Sequence, residues 1–335
     1  MSVVSIRFRV SRTINQLRCW FSYALSFWGI VHVRHLPTFV SVEPANFCQL
    51  RCPECPVGMG GGHPQQGRAE LLHPEVWQML LCEIIPYAHT IQFYFQGEPL
   101  LNPDLPKMIH EAHEAGIYTI VSTNAQEITP RLADALVQSG LNRIIISLDG
   151  LSPKSYNAYR IGGDFEKVRE ALRLLHTTKH RLHSRTPVIE WQCLRLHTNE
   201  HEWAEIRRVY RQWGADCLTF KTAQLYDYAS GNPLMPTNPR YARYFCGKDG
   251  QYHLKQTLWR HLWHISVPCY RLWSGGVITT SGEVLPCCYD KAHTYSFGNI
   301  HTASLSTLFR SDKADTFRQS VLHNEDITIC RNCNR

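Results

Sequence analysis

The chain has 335 residues, 44% of them apolar, and a formal net charge of +7. This length is sufficient for one large core and a small additional module, and the modest charge, without a concentrated basic stripe, argues against a nucleic-acid-binding protein. Thirteen cysteines indicate metal ligation over disulfide bonds, so we expect a soluble, cytoplasmic protein.

Residues 1–36 form a basic and aromatic segment that is predicted to be helical. No Asp or Glu precedes Glu43, whereas the segment has arginines at positions 7, 9, 12, 18 and 34. Its apolar run over 19–31 is shorter than the roughly 20 residues that span a bilayer. Two interpretations remain open: an interfacial helix in peripheral contact with a membrane, or a helix packed against the following domain.

A predicted strand at 39–42 leads directly into Cys48, Cys52 and Cys55, which have the spacing C-x3-C-x2-C. Three thiolates on one loop can hold three irons of a cubane cluster and leave the fourth iron open to a small molecule. The alternatives are a zinc site completed elsewhere and buried, unreactive cysteines. The position after a strand favours the cluster, because α/β barrels build their active sites at the carboxyl ends of strands.

Apolar strands alternate with amphipathic helices through the first two thirds of the chain. Strands are predicted at 39–42, 91–95, 118–122, 143–148, 188–194 and 217–221, and helices at 74–85, 105–115, 130–139, 165–177 and 202–213. Such repeats give a parallel sheet with helices outside, and six units are too few to close an eight-stranded barrel. The predicted fold is α/β: a partial (β/α)6 TIM-like barrel over residues 37–222, with a small C-terminal iron–sulfur module.

Residues 223–268 contain several Pro and Gly breakers and are predicted to be a linker of irregular course. A hairpin pattern follows at 276–286. Residues 269–335 are predicted to form the module, since a C-x2-C pair with two distant cysteines is typical of four-thiolate ligation. A structural zinc ribbon on the same residues remains an alternative. The predicted ligands are Cys269, Cys287, Cys330 and Cys333.

The three-cysteine loop resembles the signature of the radical S-adenosylmethionine (radical SAM) enzymes. Three further segments resemble elements of that family in the right order: Gln96-Gly97-Glu98-Pro99, Ser122-Thr123-Asn124 and Ile146-Ser147-Leu148-Asp149-Gly150. The resemblance implies that S-adenosylmethionine (SAM) is bound by Gly97, Glu98, Ser122, Asn124 and Ser147. Two positions depart from the family pattern: Gln96 replaces a glycine, and Glu54 replaces a frequent aromatic.

The second cysteine set, with Gly282 and the segment 298–300, resembles the SPASM module or its shorter "twitch" form. A full SPASM module carries more cysteines after its C-x2-C pair, so we expect one auxiliary 4Fe–4S cluster here. If four protein thiolates hold this cluster, it has no vacant site for substrate, and electron transfer is the natural role.

The resemblance implies reductive cleavage of SAM to a 5′-deoxyadenosyl radical at the first 4Fe–4S cluster, with a reducing partner such as flavodoxin or ferredoxin. The auxiliary cluster favours net oxidation of a peptide or small metabolite. Two other classes remain: a radical SAM protein whose C-terminal module binds zinc and recognises a partner, and a non-catalytic metal-binding protein.

No catalytic acid or base is identified from the sequence. Four residues near predicted strand ends are candidates for substrate contact, and two further cysteines are candidates for ligands, proton donors or buried thiols. The first group is Tyr94, Gln192, Arg195 and Lys221, and the second is Cys246 and Cys288.

Overall fold

The computed structural model describes residues 3–60, 69–255 and 268–333. The end of the predicted linker, 256–267, and the last two residues of the predicted module lie outside the described residues. The strands are β1 (Phe39–Val42), β2 (Thr90–Phe93), β3 (Tyr118–Thr123), β4 (Arg143–Ser147), β5 (Val188–Arg195), β6 (Cys217–Thr222), β7 (Tyr244–Cys246), β8 (Tyr252–Leu254), β9 (Gly275–Ile278), β10 (Glu283–Leu285) and β11 (Gly298–Asn299). The helices are α1 (Val3–Ser26), α2 (Pro74–Ile84), α3 (Leu105–Glu114), α4 (Pro130–Gln138), α5 (Pro153–Asn157), α6 (Phe165–Arg181), α7 (Trp203–Val209), α8 (Tyr270–Ser274), α9 (Leu305–Phe309) and α10 (Asp312–Leu322).

The predicted six-unit βα architecture is confirmed: β1 to β6 are parallel neighbours in chain order. Their central positions are apolar and buried, as in the run Ile144, Ile145 and Ile146 on β4. Continuous apolar runs of this kind are expected where helices cover a parallel sheet. The helices begin at local capping groups, such as Thr129 before α4 and Asp164 before α6.

The C-terminal module extends the same sheet, which the sequence did not predict. The predicted hairpin is present as β9 and β10, and β9 also pairs in parallel with β1, so that the strand order is β11-β10-β9-β1-β2-β3-β4-β5-β6. The close approach of β9 to β1 requires a glycine at position 275, because a Cβ there would lie 2.5 Å from the Phe39 carbonyl oxygen. The module and the barrel therefore share one continuous set of backbone hydrogen bonds.

The described part of the predicted linker is more regular than expected. It contains the antiparallel hairpin of β7 and β8, and it is tied to the end of the chain through Asn332. The Asn332 amide donates to Leu225 O at 2.7 Å, while the Tyr244 hydroxyl donates to Asn332 Oδ1 at 2.8 Å. This segment therefore holds the last cysteines against the barrel.

The N-terminal helix packs against the barrel through polar contacts. The Arg12 guanidinium donates to the carbonyl oxygens of Ile85, Ala115 and Gly116 at 2.7–2.9 Å, at the carboxyl ends of α2 and α3. Cations are favourable at helix carboxyl ends, where the last carbonyl groups lack partners. Among the described residues, no helix has both the length and the apolar content to cross a bilayer.

His35 joins α1 to the C-terminal module and is almost fully buried. Its Nε2 lies 2.6 Å from Trp273 O and its Nδ1 lies 3.1 Å from Ser22 Oγ. Because a carbonyl oxygen only accepts, Nε2 carries the proton and the Ser22 hydroxyl donates to Nδ1. Burial lowers the pKa of His35 from 6.5 to about 4.

This pKa predicts an acid-dependent loss of stability. Between pH 6.5 and about 4, the unfolded chain binds a proton at His35 and the folded chain does not. The free energy of unfolding should therefore fall by about 1.4 kcal/mol per pH unit as the pH decreases through that window. Denaturant unfolding of His35→Gln should show a shallower pH slope than the parent chain. The matched control, exposed His110→Gln on α3, should keep the parent slope, and equal slopes for all three proteins would contradict the assignment.

Candidate active site

The three-cysteine loop turns back on itself directly after β1. The Cys55 N–H donates to Cys52 O at 3.2 Å, and the Leu50 N–H donates to Cys48 Sγ at 3.4 Å. The Cys48 thiol is within electrostatic reach of Cys52 and Cys55. Burial raises the pKa of Cys48 to about 11, so this thiol ionises near neutral pH only when a metal cation replaces its proton.

Gly97 and Glu98 pack against the backbone that leads into this loop. A Cβ at Gly97 would lie 2.1 Å from Ala45 O, and the Glu98 N–H donates to Phe47 O at 2.8 Å. The Glu98 carboxylate accepts from the Thr123 hydroxyl, the Asn124 N–H and the Leu100 N–H, at 2.5–3.0 Å. Burial raises the pKa of Glu98 to about 7. The chain thus uses this carboxylate to join the ends of β2 and β3.

The other residues predicted to bind SAM occupy the ends of neighbouring strands. The Asn124 amide donates to Cys48 Sγ at 3.4 Å, which places the end of β3 against the cysteine loop. Ser122 lies on β3 and is partly exposed, and Ser147 is the buried last residue of β4. The described structure therefore brings Gly97, Glu98 and Asn124 to the cysteine loop, with the two serines on the adjoining strands.

The second cysteine set surrounds the turn after β10. Cys269 precedes α8, Cys287 follows β10, and the last pair lies in a turn closed by the Cys333 N–H donating to Cys330 O at 3.2 Å. Burial raises the pKa of Cys287 above its usual range, and Cys288, Cys269 and Cys330 also act on it electrostatically. Arg271 interacts with Cys269 and Cys333 as well. The module therefore carries the predicted ligands on three neighbouring segments.

The donor chemistry of both sets is that of thiolate metal sites. Within the ranges that the structure describes, no three His, Cys, Asp or Glu side chains converge closely enough to hold one metal ion. Thiolate sets bind zinc at about 2.3 Å from one point, or a cubane in which each thiolate bonds a different iron.

A group of polar side chains, which we call the bridging cluster, connects the two cysteine sets. Lys291 interacts with Cys55 of the first set and with Cys287 of the second. Its ammonium donates to Phe95 O at 3.1 Å and lies 4.1 Å from the centre of the Phe95 ring. Burial lowers the pKa of Lys291. The bridging cluster comprises Glu43, Tyr94, Lys221, Arg271 and Lys291.

Glu43 is the most unusual member of the bridging cluster because it is completely buried and incompletely paired. Its Oε2 accepts from the Thr280 N–H at 3.3 Å, but its Oε1 has no hydrogen-bond partner among the described residues. Burial raises the pKa of Glu43 to about 7, even though the backbone N–H of Thr280, the charge of Lys291 and the backbone of Gln96 all act in the opposite direction. A buried acceptor without a partner is costly and points to a ligand or functional role.

Comparison with known proteins agrees with both cysteine sites. The family model of the radical SAM superfamily matches residues 42–190, and that of the SPASM iron–sulfur cluster-binding domain matches residues 269–334. The chain belongs to the radical SAM superfamily. These two domains imply 4Fe–4S clusters and SAM as cofactors.

Curated relatives of this radical SAM protein include two PqqA peptide cyclases. The one from Ruegeria pomeroyi is 35% identical over 130 residues, which is 38% of this chain and 32% of the relative. The chain thus matches only about a third of that relative's length. The cyclase from Rhizobium meliloti is 26% identical over 318 residues, covering 89% of this chain and 80% of the relative.

A solved structure shows that the fold is shared over most of this chain. The structure is anSMEcpe with bound AdoMet and Cp18Cys peptide, which superposes with a TM-score of 0.58 at 18% identity. The match covers 89% of this radical SAM chain and 88% of the solved one. At this identity, the comparison establishes the fold alone.

The candidate substrate residues fall into two groups. Tyr94 and Lys221 belong to the bridging cluster. Gln192 on β5 is the register partner of Thr219 on β6, and its buried Oε1 has no hydrogen-bond partner among the described residues. Arg195 instead lies over the rings of Trp203, Phe220 and Tyr241, which favours a packing role, and its contact with substrate stays a prediction.

The two additional cysteines also differ from each other. Cys288 accepts a hydrogen bond from the Arg271 guanidinium at 3.0 Å and adjoins the bridging cluster. Cys246 is exposed on β7, where its thiol contacts Gly247 O. Cys288 is therefore the one placed to take part in the site.

Sequence reasoning missed Glu43, Arg160, Arg271 and Lys291. The Arg160 guanidinium donates to Asp149 Oδ2 at 2.6 Å and lies 4.0 Å from Cys52 Sγ. Asp149 was visible in the fourth-strand segment, but its partner comes from after α5 and could not be paired with it by spacing. The ion pair therefore places a buried cation beside the first cysteine set.

The position of Arg160 predicts an effect on the potential of an iron–sulfur cluster at Cys52. Arg160→Gln should lower the midpoint potential on the order of 100 mV, because it removes a nearby positive charge in a medium of effective dielectric constant about 20. Arg160→Lys keeps the charge and should stay near the parent value. The midpoint potentials of both variants can be measured by redox titration of the anaerobically reconstituted proteins, with electron paramagnetic resonance as the readout. Equal potentials for the two variants would contradict the prediction.

Proposed function

We propose that this chain is a radical SAM enzyme that uses two 4Fe–4S clusters to oxidise a peptide substrate. The observation that carries the proposal is the contact of the turn after β10 with the end of β2, where Lys291 donates to Phe95 O at 3.1 Å and Gln96 donates to Lys291 O at 3.0 Å. This contact supports a role for the segment after Cys287 near the strand ends that precede the three-cysteine loop. The peptide is proposed because several of the curated relatives are PqqA peptide cyclases and the solved structure described above holds a peptide.

The first cluster would be held by Cys48, Cys52 and Cys55, with SAM against Gly97, Glu98, Ser122, Asn124 and Ser147. The auxiliary cluster would be held by Cys269, Cys287, Cys330 and Cys333. When bound, these groups supply a carbon radical that takes hydrogen from unactivated carbon and an acceptor for the electron that the substrate then gives up.

Glu43 is the group we propose as the proton acceptor. A substrate that loses a hydrogen atom and then an electron must also release a proton to complete a two-electron oxidation. The unpaired Oε1 of Glu43 can accept it, and its pKa of about 7 lets the side chain exist in both forms near neutrality. Lys291 remains close enough to stabilise the ionised carboxylate.

The cations of the bridging cluster would bind and orient the substrate. Lys221, Arg271 and Lys291 are donors without acceptor capacity, so they favour carboxylate or phosphate groups. This observation also supports a second candidate function, the oxidation of a small anionic metabolite. An external one-electron reductant, such as flavodoxin or ferredoxin, would supply the electron that cleaves SAM.

Cysteine replacements should separate the two sites. Replacing Cys48, Cys52 and Cys55 with Ala should abolish formation of 5′-deoxyadenosine, because SAM would lose its iron site. Replacing Cys330 and Cys333 should leave part of that cleavage but stop product formation. Iron and sulfide analysis, with absorbance near about 400 nm, distinguishes clusters from zinc, and cleavage that survives the triple replacement would refute the proposed first site.

A matched pair of buried carboxylates tests the proposed proton acceptor. Glu43→Gln should still convert SAM to 5′-deoxyadenosine but reduce oxidised product by about a hundredfold or more, because a general base is lost. Glu98→Gln should reduce SAM cleavage itself, since an amide would direct N–H groups at the Asn124 and Leu100 donors. Mass spectrometry of both products checks this, and normal product yield from Glu43→Gln would exclude the assigned role.

A further inference from the structure

The N-terminal helix has its polar and apolar faces in the reverse of the usual order. Its buried side chains are mainly polar, and its large apolar side chains face solvent. The buried residues are Arg12, Asn15, Cys19, Ser22 and Ser26. The apolar residues with exposed fractions between 45% and 75% include Val10, Ile14, Leu17, Phe21 and Trp28. The first four recur at helical spacing and form one continuous stripe, which Trp28 extends just past the end of α1, and we call these five residues the outer stripe.

Hydrogen bonds fix this orientation of α1. Besides the three carbonyl partners of Arg12, the Asn15 amide donates to Leu36 O at 2.9 Å and its Oδ1 accepts from the Leu36 N–H at 2.9 Å. Turning the helix to bury the outer stripe would leave these buried polar groups without partners, which is strongly unfavourable. The apolar surface is therefore held outward by the fold.

Positive charge surrounds the outer stripe. Arg9 and Arg18 are nine residues apart, about two and a half helical turns, so they lie on opposite edges of the stripe. Beside it, Arg18, Arg34 and Arg310 line a groove of about 450 Å³. None of these three arginines forms a salt bridge with an acidic side chain in the described part of the chain.

We infer that the outer stripe and the three-arginine groove dock on an anionic phospholipid membrane. Apolar side chains flanked by Arg, with exposed aromatics such as Trp28, suit the boundary between head groups and acyl chains. The groove is suited to a lipid phosphate. A second copy of the chain is a poor partner for the outer stripe, because pairing two stripes would place their arginines against one another and the charges would repel.

Docking in this way leaves the candidate active site accessible. Arg12 binds the carboxyl ends of α2 and α3, which precede the amino ends of β2 and β3. The three-cysteine loop follows the opposite, carboxyl end of β1, which pairs in parallel with β2. A membrane-bound enzyme would therefore keep this loop toward water. This inference does not depend on the reaction proposed above.

Vesicle flotation of the full-length, reconstituted protein tests the inference. The protein should float with phosphatidylcholine vesicles that contain about one third phosphatidylglycerol, and should float much less with phosphatidylcholine alone or at high salt. Leu17→Gln with Phe21→Gln should weaken partitioning about tenfold or more. Arg18→Glu with Arg34→Glu should weaken partitioning to the same extent. Each basic residue near an anionic surface increases the binding constant about fivefold, and reversing the charge of the side chain adds repulsion.

Two control proteins carry equivalent changes elsewhere on the surface. Met79→Gln with Phe245→Gln removes exposed apolar side chains, and Arg131→Glu with Lys248→Glu makes the same change in net charge. Both should float like the parent protein, and all variants should retain parent iron content and circular dichroism. Absence of flotation, equal binding to both vesicle types, or equal loss in the controls would overturn the inference. So would a dimer in sedimentation velocity that Leu17→Gln with Phe21→Gln dissociates.

Discussion

The parallel pairing of β9 with β1 joins the two cysteine-bearing parts of the chain in one sheet. Neighbouring strands lie about 4.8 Å apart. The three-cysteine loop follows the carboxyl end of β1, whereas Cys287 follows β10, which runs antiparallel to β9. The ladder continues past the strand ends, where the Glu43 N–H donates to Ile278 O at 2.9 Å. The SPASM module is therefore an extension of the barrel sheet, held to it by backbone hydrogen bonds.

That junction also explains the buried charges. Glu43 directly follows β1, and Lys291 comes from the turn after β10, so pairing of the strands brings both into an interior with little water. Burial opposes ionisation of each, while their attraction favours it. Gln96, which departs from the family's glycine, donates to Lys291 O at 3.0 Å. The substitution thus serves the contact between barrel and module, a role that the sequence pattern did not suggest.

The N-terminal helix is held by the same arrangement. Its Cys19 thiol and the His35 ring both contact Trp273 O, at the end of α8 just before β9 begins. Residues from three distant parts of the chain therefore meet beneath the β1–β9 junction. This anchoring requires the polar side of α1, which is why its apolar side is left facing outward.

The sequence determined the parts of the molecule that depend on local pattern. Alternating strands and helices, the cysteine spacings, the β9–β10 hairpin and the family of the chain could all be predicted, because periodicity and short-range spacing encode them. Only the tertiary structure decided that β9 joins β1, that Arg160 lies beside Cys52, that Arg195 packs among aromatics, and that Glu43 and Lys291 are buried near each other. These are contacts between residues far apart in the chain, and a parallel sheet fixes them through register and burial, neither of which a single sequence displays.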